Sequence, residues 1–174
     1  MRLIEPAGAH HDFWQALVSG ARGIIVYAHY HIRDRPELEA VWAALDSDAS
    51  IVAGPERLGQ VILEGVRQSG STVTIVAGPD STVSFPPSST HTVTSDPNVR
   101  YPSIDLLTLR WRGDTYLMAV NSAEAPVSAR ISGLPRVATT AREILERTTI
   151  PLRNGTLDLD FQSLGVHVLK IPGR

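Results

Sequence analysis

The side chains in this sequence that could do chemistry are carboxylates and imidazoles. Cysteine is absent, which removes thiol nucleophiles, disulfides and zinc–thiolate sites and leaves the compartment open. Asp158 and Asp160 stand two apart in Leu157-Asp-Leu-Asp-Phe161, a spacing that puts both on one side of a strand. Paired carboxylates can act as general acid and base, but with Leu157, Leu159 and Phe161 turned inward this pair reads as the solvated face of a sheet. His10 and His11 are adjacent, and His29 and His31 alternate. All four are metal-ligand types, yet neither spacing defines a coordination geometry, so no metal and no other cofactor is expected. His167 faces opposite to its neighbours Val166 and Val168 and reads as a partly exposed structural histidine. Glu5 is a lone carboxylate after the short apolar stretch Leu3-Ile4. Arg112-Gly113-Asp114 spells an adhesion tripeptide, but it also supplies what a hairpin turn needs, a glycine for positive φ between polar neighbours.

The elements that must position these groups fall into two kinds. The second half is organised around Ile104–Ile131. Leu107, Leu109 and Trp111 alternate with Thr108 and Arg110, and Tyr116, Met118 and Val120 alternate with Leu117 and Ala119. Two such runs around a polar turn predict a β-hairpin. The return strand is apolar on both sides, so it belongs in the middle of a sheet covered on both faces. Val127, Ala129 and Ile131 continue the pattern as a meander. Strands are also expected at Ser71–Ala77, Val83–Phe85, His91–Thr94, Arg142–Leu145, Thr156–Phe161 and Val166–Ile171, with Asn154-Gly155 as a turn. That count fits an antiparallel sandwich.

The first 66 residues read differently. After a break at Pro6-Ala7-Gly8, Trp14, Leu17, Val18 and Ala21 fall at helical spacing, and Gly20 is placed to end the helix. Gly23–Ala28 is a short β-branched run of the sort buried in parallel sheets. Asp34 and Glu37 form a capping box ahead of the stripe Leu38, Val41, Trp42 and Leu45, with Asp46-Ser47-Asp48 ending that helix. Gly54-Pro55-Glu56 opens another, with Leu58, Val61, Ile62 and Val66 on one side. Trp14, Trp42 and Trp111 all read as core. This is the βα alternation of an α/β fold. Two strands cannot close a parallel sheet alone, so either these residues pack on the sandwich as an incomplete layer or the chain is the C-terminal part of something longer.

Composition excludes several functions. The 174 residues are 43% hydrophobic, enough to bury a core, and the net charge of −2 is of mixed sign. That offers no footprint for nucleic acid or an acidic membrane surface. No apolar run is long enough to span a membrane, and Glu5 and Pro6 interrupt any signal-peptide core at the N-terminus.

Three stretches together resemble a known arrangement. Ala16-Leu-Val-Ser-Gly-Ala-Arg-Gly-Ile-Ile-Val-Tyr27 resembles the last helix–strand step of the (β/α)8 barrel in several glycoside hydrolase families. Thr115-Tyr-Leu-Met-Ala-Val-Asn121 and Leu157-Asp-Leu-Asp-Phe-Gln-Ser-Leu-Gly-Val-His-Val-Leu-Lys-Ile171 resemble strands of the small sandwich that follows such barrels. The resemblance implies an α/β segment at 1–67, the last strands and helices of a TIM-like barrel, then an all-β antiparallel sandwich at 71–174. It implies a carbohydrate substrate and a missing N-terminal barrel portion as partner. With Leu3-Ile4 ending the seventh strand, Glu5 stands where such enzymes place the nucleophile, since barrel catalytic groups sit at the C-terminal ends of strands. Tyr27 and His29 at the end of the next strand would reach the sugar. The chain departs from the pattern in lacking the earlier strands and their general acid, so alone it is expected to be inactive. The competing expectations are a non-catalytic β-sandwich that binds carbohydrate or another partner, for which Phe85 and Tyr101 are the exposed-aromatic candidates, and a plain structural domain.

Overall fold

The structure, a computed structural model, describes residues 5–26, 35–83 and 100–173. The hairpin at its centre forms as the alternation requires. Strand β5 is Ile104–Trp111 and β6 is Asp114–Asn121, paired antiparallel from Ile104↔Asn121 to Trp111↔Asp114. Arg112 and Gly113 both take positive φ, 50° and 91°, the two-residue turn whose twist matches the strands it joins.

The other strands are β1 (Val66–Arg67), β2 (Thr72–Ala77), β3 (Ser81–Val83), β4 (Arg100–Pro102), β7 (Val127–Ser132), β8 (Thr140–Glu143), β9 (Thr149–Pro151), β10 (Leu157–Phe161) and β11 (Val166–Ile171). They form a six-stranded sheet, β1-β5-β6-β11-β8-β9, a three-stranded sheet, β10-β7-β2, and the pair β3-β4. Every described pairing is antiparallel. The expected meander is corrected here. β7 does not pair with β6 but crosses to the smaller sheet between β10 and β2, and β6 takes β11 as its second neighbour. Asn121 fixes the crossing: its side-chain amide donates to the carbonyls of Ala125 and Gln162, both at 2.8 Å, and its oxygen accepts from the Ala123 N–H at 3.0 Å.

The helices are α1 (Pro6–Val18), α2 (Glu39–Ala53, preceded by a 3-10 turn at Pro36–Leu38) and α3 (Leu58–Glu64). They cover the outer face of the larger sheet, so the molecule has three layers. Leu117, Ala119 and Leu169 of the larger sheet meet Ala129, Ile131 and Leu159 of the smaller one in one core. On the opposite face Met118, Val120 and Val168 meet Trp14, Leu58 and Val61 in a second core. β6 thus serves two cores, which is why both its faces are apolar. Arg142 of β8 and Glu56, just ahead of α3, form an ion pair between layers. The Arg142 hydrogen bond and charge hold the Glu56 carboxyl below its ordinary pKa, against partial burial.

Other sequence expectations also need correcting. Pro6 does not break the chain but starts α1, where its fixed φ and missing N–H cost nothing. The second helix runs through Asp46 and Asp48 to Ala53 and begins at Glu39; Asp34 lies outside the described residues. Val66 is in β1 and 65% exposed, not on a helix face. Trp42 and Trp111 are only half-buried, whereas Trp14 is fully buried. β9 was not expected at all. Gly23–Val26, read as a strand buried on both faces, is not in a strand, and Ile25 is 92% exposed. A β-branched run reads as a strand only if neighbours exist to pair with it, and none of the described strands lies beside it.

Candidate functional site

Glu5 lies at the N-terminus of α1. Its backbone is extended (φ −91°, ψ 156°), and its carbonyl accepts the Ala9 N–H at 3.0 Å. The residue is exposed, and its side chain does not cap the helix. Next to it in the chain, Pro6 and Ala7 help to line a cleft of about 500 Å³, whose walls include His10, Asp48 and Glu146.

Asp48 is 1% exposed. Its Oδ1 accepts the Trp14 Nε1–H at 2.8 Å, and His10 Nδ1 lies 2.8 and 2.9 Å from the two carboxylate oxygens. An ionised carboxylate only accepts, so Nδ1 of His10 is the donor in this pair. The same contacts tie α2 to α1, and Asp48 stays in a helix interior because the carboxylate finds its donors on the neighbouring helix. Sequence reading missed this residue as a partner. The available signal was its place at the i+7 position from Val41 on the apolar stripe, where an aspartate must have buried donors.

A second imidazole–carboxylate pair closes one end of the inter-sheet core. Glu143 is 1% exposed. Its Oε1 accepts the N–H groups of Val168 (3.0 Å) and Leu145 (3.3 Å), and its Oε2 lies 2.7 Å from His167 Nδ1. His167 Nε2 faces the Asp160 carbonyl at 3.2 Å, and the ring meets Phe161 edge-on. A carbonyl only accepts, so Nε2 carries a proton. Both ring nitrogens donate only when the ring is an imidazolium. Burial works against that charge, but the Glu143 hydrogen bond and charge, helped by the Asp160 carbonyl and Glu146, raise the His167 pKa above its ordinary value. A raised folded pKa gives a stabilisation that is complete below the unfolded value of about 6.5 and is lost as pH rises through the folded value. Thermal melts are therefore expected to show stability falling on the alkaline side of neutrality. His167→Gln should flatten that fall and should lower Tm more at pH 6 than at pH 9. An equal loss at both pH values would show that His167 contributes packing and not charge.

The remaining candidates sit apart. Asp158 and Asp160 share the solvated face of β10, as their alternation implies. Asp158 pairs with Arg130 Nε at 2.7 Å, which holds its carboxyl below the usual range, and Asp160 accepts from Ser128 Oγ at 2.5 Å. Asp114 of the adhesion-like tripeptide is engaged by Lys170 Nζ and the Gly173 N–H, both at 2.9 Å. His11 Nε2 lies 3.2 Å from Ser122 Oγ. Tyr27, His29, His31 and Phe85 lie outside the described residues; Tyr101, on β4, is 46% exposed. Among the described residues no three acidic or histidine side chains come together as metal ligands, and no helix is long and apolar enough to cross a membrane.

These layers define a helix-backed antiparallel sandwich, a β-rich domain. No known family profile matches the sequence, and no curated protein matches it. Solved structures share its fold. An α-amylase from Geobacillus thermoleovorans, solved with acarbose, superposes with a TM-score of 0.60 at 14% identity, over 98% of this chain and 34% of that one. An Anoxybacillus α-amylase does so with a TM-score of 0.53 at 8% identity, over 97% of this chain and 33% of that one. The chain thus spans about a third of the length of these enzymes, and at such identities the likeness is one of fold.

Proposed function

We propose that this chain is the C-terminal part of a glycoside hydrolase, with residues 1–67 contributing the end of a (β/α)8 barrel and residues 71–174 an accessory β-sandwich. The observation that carries this is the likeness of fold over 98% of the chain to an α-amylase about three times as long. The uncovered apolar run adds support. Ile25 and Val26 are exposed, as are Leu63 and Val66, and β-branched residues in this state are what removal of neighbouring strands would leave. Arg22 reaches the Leu63 carbonyl at 3.4 Å, which holds the start of that run near α3. In this reading Glu5 is the nucleophile, Tyr27 and His29 lie on the substrate side, the ligand is a carbohydrate and no cofactor takes part. The acid that protonates the leaving oxygen would come from the missing barrel strands, so the 174-residue chain alone hydrolyses nothing.

The test is the DNA upstream of the Met1 codon. An open frame encoding further βα units, whose extended product cleaves an activated aryl glycoside while the 174-residue chain does not, is the expected result. An in-frame stop close to Met1, or cleavage by the 174-residue chain itself, would overturn the reading.

A further inference from the structure

We infer that the groove between β9 and β10 is a binding site for an acidic saccharide. This inference rests on the groove alone and is independent of any catalytic role for the chain. The groove holds about 600 Å³ and lies where the edges of the two sheets diverge. Ile150 and Pro151 give it an apolar wall. Ser132 and Thr156 give it hydroxyls, and Arg130, Asp158 and Arg153 give it charges.

The Arg130–Asp158 pair and the backbone that carries Arg153 are held in place before any ligand arrives. Arg130 and Asp158 are cross-strand partners, and the guanidinium meets the carboxylate in two parallel bonds, Nε–Oδ1 at 2.7 Å and Nη2–Oδ2 at 3.2 Å. Arg153 flanks the two-residue turn Asn154-Gly155, whose φ values are 52° and 74°. The turn is closed by the Arg153 N–H to the Thr156 carbonyl (2.8 Å) and the reverse bond (2.9 Å). It is also pinned to the sandwich by the Leu134 N–H on the Gly155 carbonyl (3.0 Å), with Leu152 buried beneath. A Cβ on Gly155 would collide with the Leu134 carbonyl oxygen, so the turn sits close against its neighbour.

Asp158 neutralises Arg130. The Arg153 guanidinium has no hydrogen bond or ion pair among the described residues, and it leaves the groove with one unbalanced positive charge in a chain of net charge −2. A planar Arg–Asp array with hydroxyls beside an apolar wall suits a ring that carries hydroxyls on its edge and C–H bonds on its face. The unpaired fork selects a ring bearing a carboxylate, which it can meet in two parallel bonds.

The test is an amide-resolved NMR titration of the whole 174-residue chain with trigalacturonate, maltotriose and inorganic sulfate in parallel. Trigalacturonate should shift the amides of Ser132, Arg153, Thr156 and Asp158 saturably, while maltotriose and sulfate bind about tenfold or more weakly. Arg153→Gln should weaken trigalacturonate binding about tenfold, the scale of a lost charge-assisted bond, with Tm unchanged on this exposed turn flank. Should that variant not fold, Arg153→Met makes the same comparison, because it keeps an unbranched stem and also loses the charge and the fork. Equal affinity of wild type and variant, or shifts confined to other parts of the chain, would overturn the site. Maltotriose binding as tightly would overturn the role of the charge, and sulfate binding as tightly would overturn the saccharide.

Discussion

Met118→Asp is expected to yield no soluble, folded chain. Met118 is fully buried on β6, in the core shared by the larger sheet and the helices. The substitution removes a large apolar side chain, which costs ~2–5 kcal/mol, and leaves a carboxylate with no partner where a buried uncompensated charge costs a further ~3–5 kcal/mol. The sum is comparable to the ~5–15 kcal/mol stability of a whole domain. Met118→Leu is close in volume and should cost less than about 1.5 kcal/mol. The measurement is soluble yield and thermal unfolding of the three proteins side by side. A wild-type-like melt for Met118→Asp would mean that β6 is not the central strand.

Glu5→Ala in an upstream-extended protein is expected to abolish turnover of an activated aryl glycoside while leaving the fold intact. The retaining mechanism needs a nucleophile and an acid/base carboxylate about 5–5.5 Å apart. The nucleophile forms a glycosyl ester that water later opens, so its loss removes a covalent step and leaves binding largely untouched. Added azide should enter the emptied space, attack the anomeric carbon in place of the carboxylate and restore cleavage with a glycosyl azide as product. Folding should survive because Glu5 is exposed and its side chain does not cap α1. Near-normal turnover in the variant would make Glu5 an ordinary surface residue.

What could be read from the sequence and what could not divide along one physical line. Patterns with a strict period were legible. The alternation in Leu107–Trp111 and Tyr116–Val120 gave the hairpin and its two-faced strand, and Leu157–Phe161 gave β10 with its aspartates outward. Non-local partnerships were not legible. β6 pairs with β11 and β7 crosses to the other sheet, yet β7 has the same alternation in either place. Asp48 looked like a helix end because its donors, His10 and Trp14, lie more than thirty positions earlier. Glu143 alternates with Arg142 so as to share the inward side of β8 with Ala141. That was a usable hint, but it gains meaning only with His167 opposite. Of the site residues, Glu5 was read as a strand end ahead of a break, whereas it stands at the N-terminus of α1 because Pro6 begins the helix instead of interrupting the chain.

The place of β11 has a consequence for how the chain comes off the ribosome. β5 and β6 can zip together as soon as both are made, but the other edge of β6 is closed only by β11, about fifty residues downstream. At roughly 5–20 residues per second of synthesis, that edge stays open for a few seconds, far longer than the ~1–10 μs in which a hairpin forms. During that interval β6 offers a strand that is apolar on both faces from Tyr116 to Val120, with free N–H and carbonyl groups, a pattern prone to pair with another nascent copy. Helix α1, already synthesised and able to settle on Met118 and Val120, shields one face of the waiting strand but not its edge. Yield of folded chain should therefore depend on translation speed between Asn121 and Ile171 far more than on the speed of the helical segment before it.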